Sequence, residues 1–265
     1  MSTIPNELEF HKEQTNRNRN LIDEAEQEKY YNSKIGIAGL SVGSSIATAI
    51  VLTGGGRHMR LADHDTLELS NMNRIVADVA DIGKSKLDVI SKRLLGMNPY
   101  LDLKLFPDGL TESNLEEFVT GLDIMIDEVD NMAIKFRIRE YCKKLRIPIV
   151  MAADNGDRAV VDVERYDFDP QPEFFHGRLG PVTYEQLANL DKRGIGETIT
   201  KHVGDIPDRM RESMALLATG KLTSWPQLGS TAMLNGAVVS YVIRRILNGQ
   251  PTVDNRAVIA LDNLL

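Results

Sequence analysis

The sequence is poor in cysteine and in tryptophan, with one of each among 265 residues. A single cysteine, Cys142, cannot form a disulfide within the chain, and none is expected in a reducing compartment. Cys142 lies in a segment whose apolar residues recur at helical spacing, which predicts a small buried side chain. The cysteine count therefore excludes a disulfide scaffold.

Long apolar runs, a leader and an excess of positive charge are also missing. No apolar stretch approaches the roughly 20 residues that cross a bilayer, and the N-terminus has neither the basic start nor the apolar core of a signal peptide. The net charge is −7 and the pI is about 5.3, whereas binding to nucleic acid or anionic membrane favours clustered Lys and Arg. We therefore expect a cytoplasmic protein that binds neither nucleic acid nor membrane.

One stretch near the N-terminus has the pattern of a nucleotide site. The apolar run Ile35–Ala38 predicts a strand, the turn Gly39–Gly43 follows, and Ser44–Leu52 is predicted to be a helix. Because a helix start offers unpaired N–H groups and the positive end of a dipole, this turn is suited to phosphate. A second strand, Met59–Ala62, leads to Asp63 about 20 residues later, where an acid usually binds ribose hydroxyls.

The glycine pattern of this turn is incomplete. Aligned with GxGxxG, its six positions are Ala38 to Gly43, and only the last glycine is in place. Gly39 can still allow close backbone approach to phosphate and Gly43 close packing of helix on strand, with Ser41 between them. Taken alone, the turn is equally compatible with an α/β turn that binds no ligand.

Strand and helix patterns alternate from residue 31 to about 155, and they include a predicted helix over Gly83–Met97 and a predicted strand over Ile147–Met151. This alternation favours a mostly parallel sheet with helices on both faces. Ala159–Tyr166 then alternates like a strand with one exposed face, which suits an antiparallel continuation. The predicted fold class is α/β, a Rossmann-like doubly wound sheet. We expect a polar N-terminal arm over residues 1–30 and a single domain over 31–265, whose extension begins at about 156.

Polar residues after the second strand favour a triphosphate. The segment DHDTLELSNMNR, residues 63–74, resembles the D-x-D…SNLxR signature of the ThiF/MoeB/HesA superfamily, the adenylating fold shared with ubiquitin-activating enzymes. Three further segments stand in the same order and at similar spacing. GKSK at 83–86, NP at 98–99 and DEVDN at 127–131 resemble the G-x-x-K, asparagine–proline and D-x-x-D-N of that family. The combination is specific although each piece alone is weak.

The resemblance covers roughly residues 17–167 and a helix near 240. It implies an ATP-dependent adenylyltransferase that uses Mg²⁺, forms an acyl-adenylate on a substrate carboxylate and releases pyrophosphate. The carboxylate would belong to a carrier-protein or peptide C-terminus or to a small metabolite, and the chain would form a homodimer. Many relatives have zinc-binding C-x-x-C pairs or a catalytic cysteine. With one cysteine here, no zinc is expected and a thioester or persulfide relay is disfavoured.

The resemblance also assigns nucleotide contacts to individual residues. Asn71, Arg74 and Lys86 would bind phosphate, since an amide, a guanidinium fork and an ammonium all donate to phosphate oxygens. Asp63 and Asp65 are acids, so at least one should face the ribose rather than the phosphates.

Three more residues complete the predicted catalytic set. Asp130 follows a predicted strand, where a carboxylate suits Mg²⁺; the alternative is a helix N-cap shared with Asn131. In the family, an arginine ahead of the first strand reaches the partner's ATP phosphates and stabilises the transition state. Arg17 and Arg19 are the candidates, and a solvated arm is the alternative. The catalytic set is thus Arg17, Arg19, Arg74, Lys86 and Asp130.

Two other functions remain open from the sequence. An NAD(P)-dependent oxidoreductase would use the same turn and Asp63, but it leaves Asn71, Arg74, Lys86 and Asp130 unexplained as a group. A non-catalytic subunit is suggested by Ala38 and Leu40, which replace glycines of the pattern. His176 has no identifiable partner, so we predict a structural or exposed side chain there.

Overall fold

A seven-stranded mixed sheet lies at the centre of the computed structural model, which describes residues 4–263 apart from the side chains of Lys192 and Asp262. The strand order is β3-β2-β1-β4-β5-β6-β7. Neighbours from β3 to β5 pair in parallel, and β6 and β7 continue the sheet antiparallel. The predicted fold class is therefore confirmed. The strands are β1 (Lys34–Ala38), β2 (His58–Ala62), β3 (Asp102–Phe106), β4 (Ile124–Asp127), β5 (Ile149–Asn155), β6 (Arg158–Glu164) and β7 (Asn255–Ala260).

Helices cover both faces of the sheet. Ile35 and Ile37 of β1 and Ile126 of β4 are fully buried, as expected for parallel strands with helices on each side. The longest helix packs on the same face as the helix after β1, and the helix after β4 packs on the other face with Cys142 buried, as predicted. The helices are α1 (Glu7–Gln14), α2 (Glu24–Tyr31), α3 (Val42–Leu52), α4 (Lys86–Met97), α5 (Leu115–Val119), α6 (Met132–Leu145), α7 (Tyr184–Ala188), α8 (Lys192–Val203), α9 (Asp208–Ala218) and α10 (Gly229–Leu247).

Element ends differ from the sequence prediction where side chains or strand pairing decide them. The helix predicted from Gly83 begins at Lys86, because Gly83 has a φ of +87° and Ser85 Oγ accepts from the N–H of Asp88. The strand predicted to end at Met151 continues to Asn155, since it pairs as a hairpin with β6.

The described part of the N-terminal arm is helical and packs on the domain. Tyr30 of α2 is fully buried, and its hydroxyl lies 3.2 Å from Ser240 Oγ on α10. Between α1 and α2, the Asn18 side chain donates to the carbonyl of Thr53, which follows α3. The division into an arm and a single domain remains a prediction.

No helix in the range 4–263 is both long enough and apolar enough to cross a membrane.

Candidate functional site

A cavity of about 600 Å³ lies at the carboxyl ends of β1, β2, β4 and β5. Ligands of open α/β sheets bind at this edge. Seven of the residues predicted from the sequence line it, namely Ser41, Asp63, Asp65, Asn71, Arg74, Lys86 and Asp130. The cavity therefore brings the predicted nucleotide contacts together in one place.

The turn between β1 and α3 passes close to the end of β4. Gly39 has a φ of +88°, and a Cβ atom there would lie 2.3 Å from the carbonyl oxygen of Glu128. At Gly43 a Cβ would lie 3.0 Å from Ile37 Cγ2, so α3 sits directly on β1. Both positions favour glycine, Gly39 because its backbone conformation is left-handed and Gly43 because of close packing.

Asp63 holds this turn in place. Its Oδ2 accepts from the N–H of Leu40 at 2.6 Å, and its Oδ1 accepts from the N–H of Asp65 at 2.9 Å. The sequence predicted a ribose contact for Asp63 and did not foresee this backbone role. A carboxylate has about four lone-pair sites, so two remain for a ligand hydroxyl.

Lys86 is bound to Asp65 at the start of α4. Its ammonium donates to Asp65 Oδ2 at 2.7 Å, although Lys86 is only 6% exposed. The hydrogen bond from Lys86 holds the pKa of Asp65 below its usual value, so this carboxylate stays ionised at neutral pH. Because an ammonium has three donors, Lys86 keeps capacity for phosphate oxygens.

Arg74 and Asn71 approach the glycine turn from the loop after β2. Arg74 Nε donates to Ser41 Oγ at 2.8 Å, so the guanidinium lies beside the start of α3. Partial burial lowers the pKa of Arg74, and the carboxylates of Asp154 and Asp130 oppose this shift; an arginine nevertheless stays charged. Asn71 Oδ1 accepts from the N–H of Glu68, which fixes the side chain in the cavity wall.

Asp130 has an exposed side chain, and capping of α6 belongs to its neighbour. Asn131 Oδ1 accepts from the N–H groups of Ala133 and Ile134. Asp130 is thus available to a ligand in the cavity, which it lines. No group of three or more His, Cys, Asp or Glu side chains suited to a metal occurs within residues 4–263. A single acid still fits Mg²⁺, which keeps several waters and shares one or two carboxylates with phosphates.

A buried charge network under the cavity was not predicted from the sequence. Asp127 of β4 is fully buried and lies 3.1 Å from Lys135 Nζ and 2.7 Å from an Arg139 nitrogen. Burial alone would raise the pKa of Asp127, but these two cations hold it below its usual value. Arg139 also contacts Glu164 at 2.8 Å, whereas Lys135 reaches the cavity wall. Lys135 thus adds a third cation beside Arg74 and Lys86.

The far side of the cavity is formed by α8, in which no functional residue was predicted. Ile195, Ile199 and Val203 line it at intervals of four residues, together with Trp225. That spacing is helical and could have indicated an inward face. His202 is buried there, and burial among several cations lowers its pKa well below the usual value, so it is neutral.

Three predicted residues lie away from the cavity. Arg17 and Arg19 are exposed near the end of α3 at Thr53, about 16 Å along that helix from Ser41. They do not line the cavity of their own chain, and their role across a dimer remains a prediction. His176 Nε2 lies 2.8 Å from the carbonyl of Val163, which agrees with a structural histidine.

The Rossmann-like sheet and the cations around its glycine turn are typical of α/β proteins that bind nucleotides. The family model described as "ThiF family" matches residues 15–255. The chain therefore belongs to the ThiF family, and the predicted resemblance is confirmed.

Of three relatives with significant similarity, one is uncharacterised and two carry enzyme names. The chain is 36% identical to the uncharacterised protein MT1398 of Mycobacterium tuberculosis, over 94% of its own length and 35% of MT1398. It is 30% identical to the tRNA threonylcarbamoyladenosine dehydratase of Bacillus subtilis, with 76% of the chain and 84% of that protein covered. It is 28% identical to the molybdopterin-synthase adenylyltransferase of Haemophilus influenzae, with coverages of 70% and 74%. The chain thus spans about a third of MT1398 and most of the other two.

Two solved structures share the fold. PaaA superposes with a TM-score of 0.71 at 23% identity, covering 99% of this chain and 83% of PaaA. MccB of Escherichia coli, solved with ATP, gives 0.65 at 18% identity, covering 89% of this chain and 63% of MccB. Both support the observed mixed sheet.

Proposed function

We propose that the chain is an ATP-dependent adenylyltransferase that forms an acyl-adenylate on a substrate carboxylate. One observation carries the proposal: Arg74, Lys86 and Asp130 converge on the cavity beside the glycine turn. A triphosphate needs several cationic and neutral donors, which a nicotinamide dinucleotide does not. The adenylyltransferase name of a relative at 28% identity supports the same activity.

The reaction would proceed by attack of a carboxylate oxygen on the α-phosphorus of ATP. A new P–O bond forms, the bond between the α-phosphorus and the bridging oxygen breaks, and pyrophosphate leaves with that electron pair. Arg74, Lys86 and Lys135 would offset the negative charge of the phosphates, and Asn71 would donate from its amide. Positioning and electrostatics account for most of the catalysis in such transfers.

Asp130 would hold Mg²⁺ against the phosphates, and the ion would supply charge neutralisation there. Asp63 would accept from the ribose while it keeps the turn in place, and Asp65 would orient Lys86. Gly39 and Gly43 would let the backbone approach the phosphates.

The substrate in this proposal is a carboxylic acid, either a carrier-protein or peptide C-terminus or a small metabolite. One relative is named for a tRNA substrate, but the net charge of −7 disfavours nucleic acid here. A cytoplasmic location and a single adenylating domain after the N-terminal arm are further parts of the proposal.

Replacing Lys86 by alanine is expected to weaken ATP binding by about 10- to 100-fold, since a buried charge-assisted donor to phosphate is lost. Calorimetric titration with ATP and Mg²⁺ measures the effect. Lys84→Ala is the matched control, because Lys84 is exposed, lies two residues away and pairs with the Asp81 carboxylate rather than lining the cavity. We expect this control to bind ATP like the unmodified protein.

NAD⁺ and NADPH serve as parallel ligands in the same titration. Binding of a dinucleotide without binding of ATP would replace the proposal with the oxidoreductase. Binding of neither would make the chain a non-catalytic subunit.

A continuous apolar surface supports a homodimer as the functional unit. Leu52 of α3 and Met233 and Tyr241 of α10 are each more than half exposed and border two adjoining grooves. Exposed apolar patches of this kind mark interaction sites. Asn18 lines one of these grooves, so Arg17 and Arg19 flank the same surface. A second copy bound at this surface would therefore lie next to Arg17 and Arg19 of its partner.

Met233→Glu is expected to convert a dimer to a monomer, since it places a charge in the middle of this surface. Sedimentation equilibrium should show twice the 29.5 kDa chain mass for the unmodified protein and the single chain mass for the variant. Leu145→Glu, at an exposed apolar position at the end of α6, is the control. A monomeric unmodified protein would contradict the dimer.

A further inference from the structure

An apolar wall bounds the cavity beyond β5. It is formed by one face of α8 and by the segments that follow, and its members are Ile195, Ile199, Val203, Ile206 and Trp225. Ile195 and Trp225 are 41% and 37% exposed although both line the cavity. Large apolar side chains left exposed inside a concave site are typical of ligand contacts. None of the five belongs to the nucleotide contacts described above.

The apolar wall differs in charge from the rest of the cavity. The cations Arg74, Lys86 and Lys135 come from the loop after β2, from α4 and from α6. His202, which lines the cavity beside the wall, is neutral because burial lowers its pKa well below the usual value. Phosphate oxygens taken from water need charged or polar donors in return. The apolar wall is therefore suited to an uncharged, apolar part of a ligand and not to a triphosphate.

The order of the strands separates the apolar wall from the nucleoside. Asp63, the proposed ribose contact, follows β2, whereas the phosphate contacts surround the ends of β1 and β4. Strands spaced about 4.8 Å apart put β5 about 14 Å from β2. Since the base of a nucleotide lies on the other side of its ribose from the phosphates, a base bound with its ribose at Asp63 points away from β5. The apolar wall thus adjoins the phosphate end, where the carboxylate would attack.

The carboxyl end of α8 is fixed to the sheet. Arg256 of β7 donates to the carbonyls of His202 and Val203. Its Nε also donates to Oδ1 of the buried Asp162 at 2.9 Å. Just after α8, Ile206 is only 7% exposed and closes the inner end of the apolar wall. An apolar surface that is already in place loses little conformational entropy when a ligand binds.

We propose that the apolar wall binds the hydrocarbon chain of a small carboxylic acid, which is the substrate of the adenylation. The inference rests on the proposed function, and the bonds made and broken are those given there. The chain would pass along Ile199 toward Ile206 and would have a free end, because the anchored end of α8 closes the wall behind it. A second charge on the chain would lie unpaired against apolar side chains, which is costly.

A homologous series of acids tests this contact in ATP–pyrophosphate exchange. The probes are acetate, propanoate, butanoate, pentanoate and hexanoate, with glutarate as the charged counterpart of pentanoate. We expect kcat/KM to rise about fourfold for each methylene that becomes buried. Glutarate should react at least about tenfold less efficiently than pentanoate, since its second carboxylate would have to leave water.

Ile199→Thr places a hydroxyl on the apolar wall and keeps the branched Cβ that limits the side-chain rotamers. We expect kcat/KM for hexanoate to fall about 10-fold, with less than about a twofold change for acetate and in the Kd for ATP. Ile195→Thr, at a more exposed position of the same wall, is the second variant in case the first does not fold. Lys201→Thr alters an exposed residue of the same helix that does not line the cavity and should leave the series unchanged.

A series without dependence on chain length, or a dependence that neither wall variant reduces, would overturn the inference. Variants that weaken ATP binding and leave the series unaltered would overturn it too, because the base would then lie on the wall. Absence of exchange with every free acid in a protein that binds ATP is a third contrary result, and tripeptides ending in leucine would then test a peptide substrate. A protein that does not bind ATP would instead contradict the proposed function itself, so the two failures are distinguishable.

Discussion

Alanine in place of Asp130 is expected to lower kcat for pyrophosphate exchange by at least about 100- to 1,000-fold while the fold is retained. The carboxylate lines the cavity and would position Mg²⁺ on the phosphates. Its side chain is exposed, and Asn131 caps the following helix. Helix capping and the proposed metal binding therefore belong to different residues, Asn131 and Asp130.

Exchange kinetics and a thermal unfolding curve on the same sample measure this prediction. We expect Tm to remain within a few degrees of the unmodified value, since no buried contact is removed. Asp108→Ala removes an exposed acid that is not among the residues lining the cavity and should leave both quantities unchanged. An Asp130→Ala variant with near-normal exchange would remove Asp130 from the mechanism.

Alanine in place of Asp127 is expected to destabilise the fold rather than act on the chemistry alone. The substitution leaves the buried Lys135 without its carboxylate and removes one of the two carboxylates of Arg139. Breaking a buried ion pair by removing one partner costs about 3–5 kcal/mol. Urea denaturation should therefore show a lower free energy of unfolding. Glu117→Ala breaks an exposed pair with Lys104 and should change it little.

The contribution of Asp127 to the free energy of unfolding depends on pH and is expected to decrease in acid. Its folded pKa lies below the value of an exposed aspartate, so its contribution to stability is complete above the unfolded pKa of about 3.9. That contribution declines as the pH falls through the lower folded pKa. The unfolding free energies of the unmodified protein and the variant should therefore converge in acid. A constant difference down to pH 2 would contradict the ion-pair explanation.

The sequence predicted the sheet and many of the side chains that line the cavity because both depend on local patterns. Short apolar runs, glycine turns and helical spacing fix the order of elements, and the order fixes which strand ends are adjacent. Asp63 and Asp130 each come directly after a predicted strand. The alternation of strands and helices was therefore enough to predict that both lie at the same edge of the sheet. The boundaries of α4 and β5 did not, since they depend on Ser85 and on pairing with β6.

Residues brought in by distant segments could not be predicted in this way. Asn235 approaches Asp154 from α10, 81 positions away in the chain. The spacing of Ile195, Ile199 and Val203 on α8 indicates an inward face but not that this face closes the cavity. Lys135 lies on a helix whose inward face looks like ordinary core spacing. Nothing in a local pattern shows which buried side chains will share a wall.

The hydrogen bonds of the turn around Gly39 affect the entropy cost of binding a nucleotide. The N–H of Gly39 donates to Ala62 on β2, and the N–H of Leu40 donates to Asp63. Backbone that is already ordered loses little conformational entropy when a ligand arrives. The glycines missing from the usual pattern are thereby compensated by rigidity, because a turn fixed by an aspartate does not need glycine at every position to keep its shape.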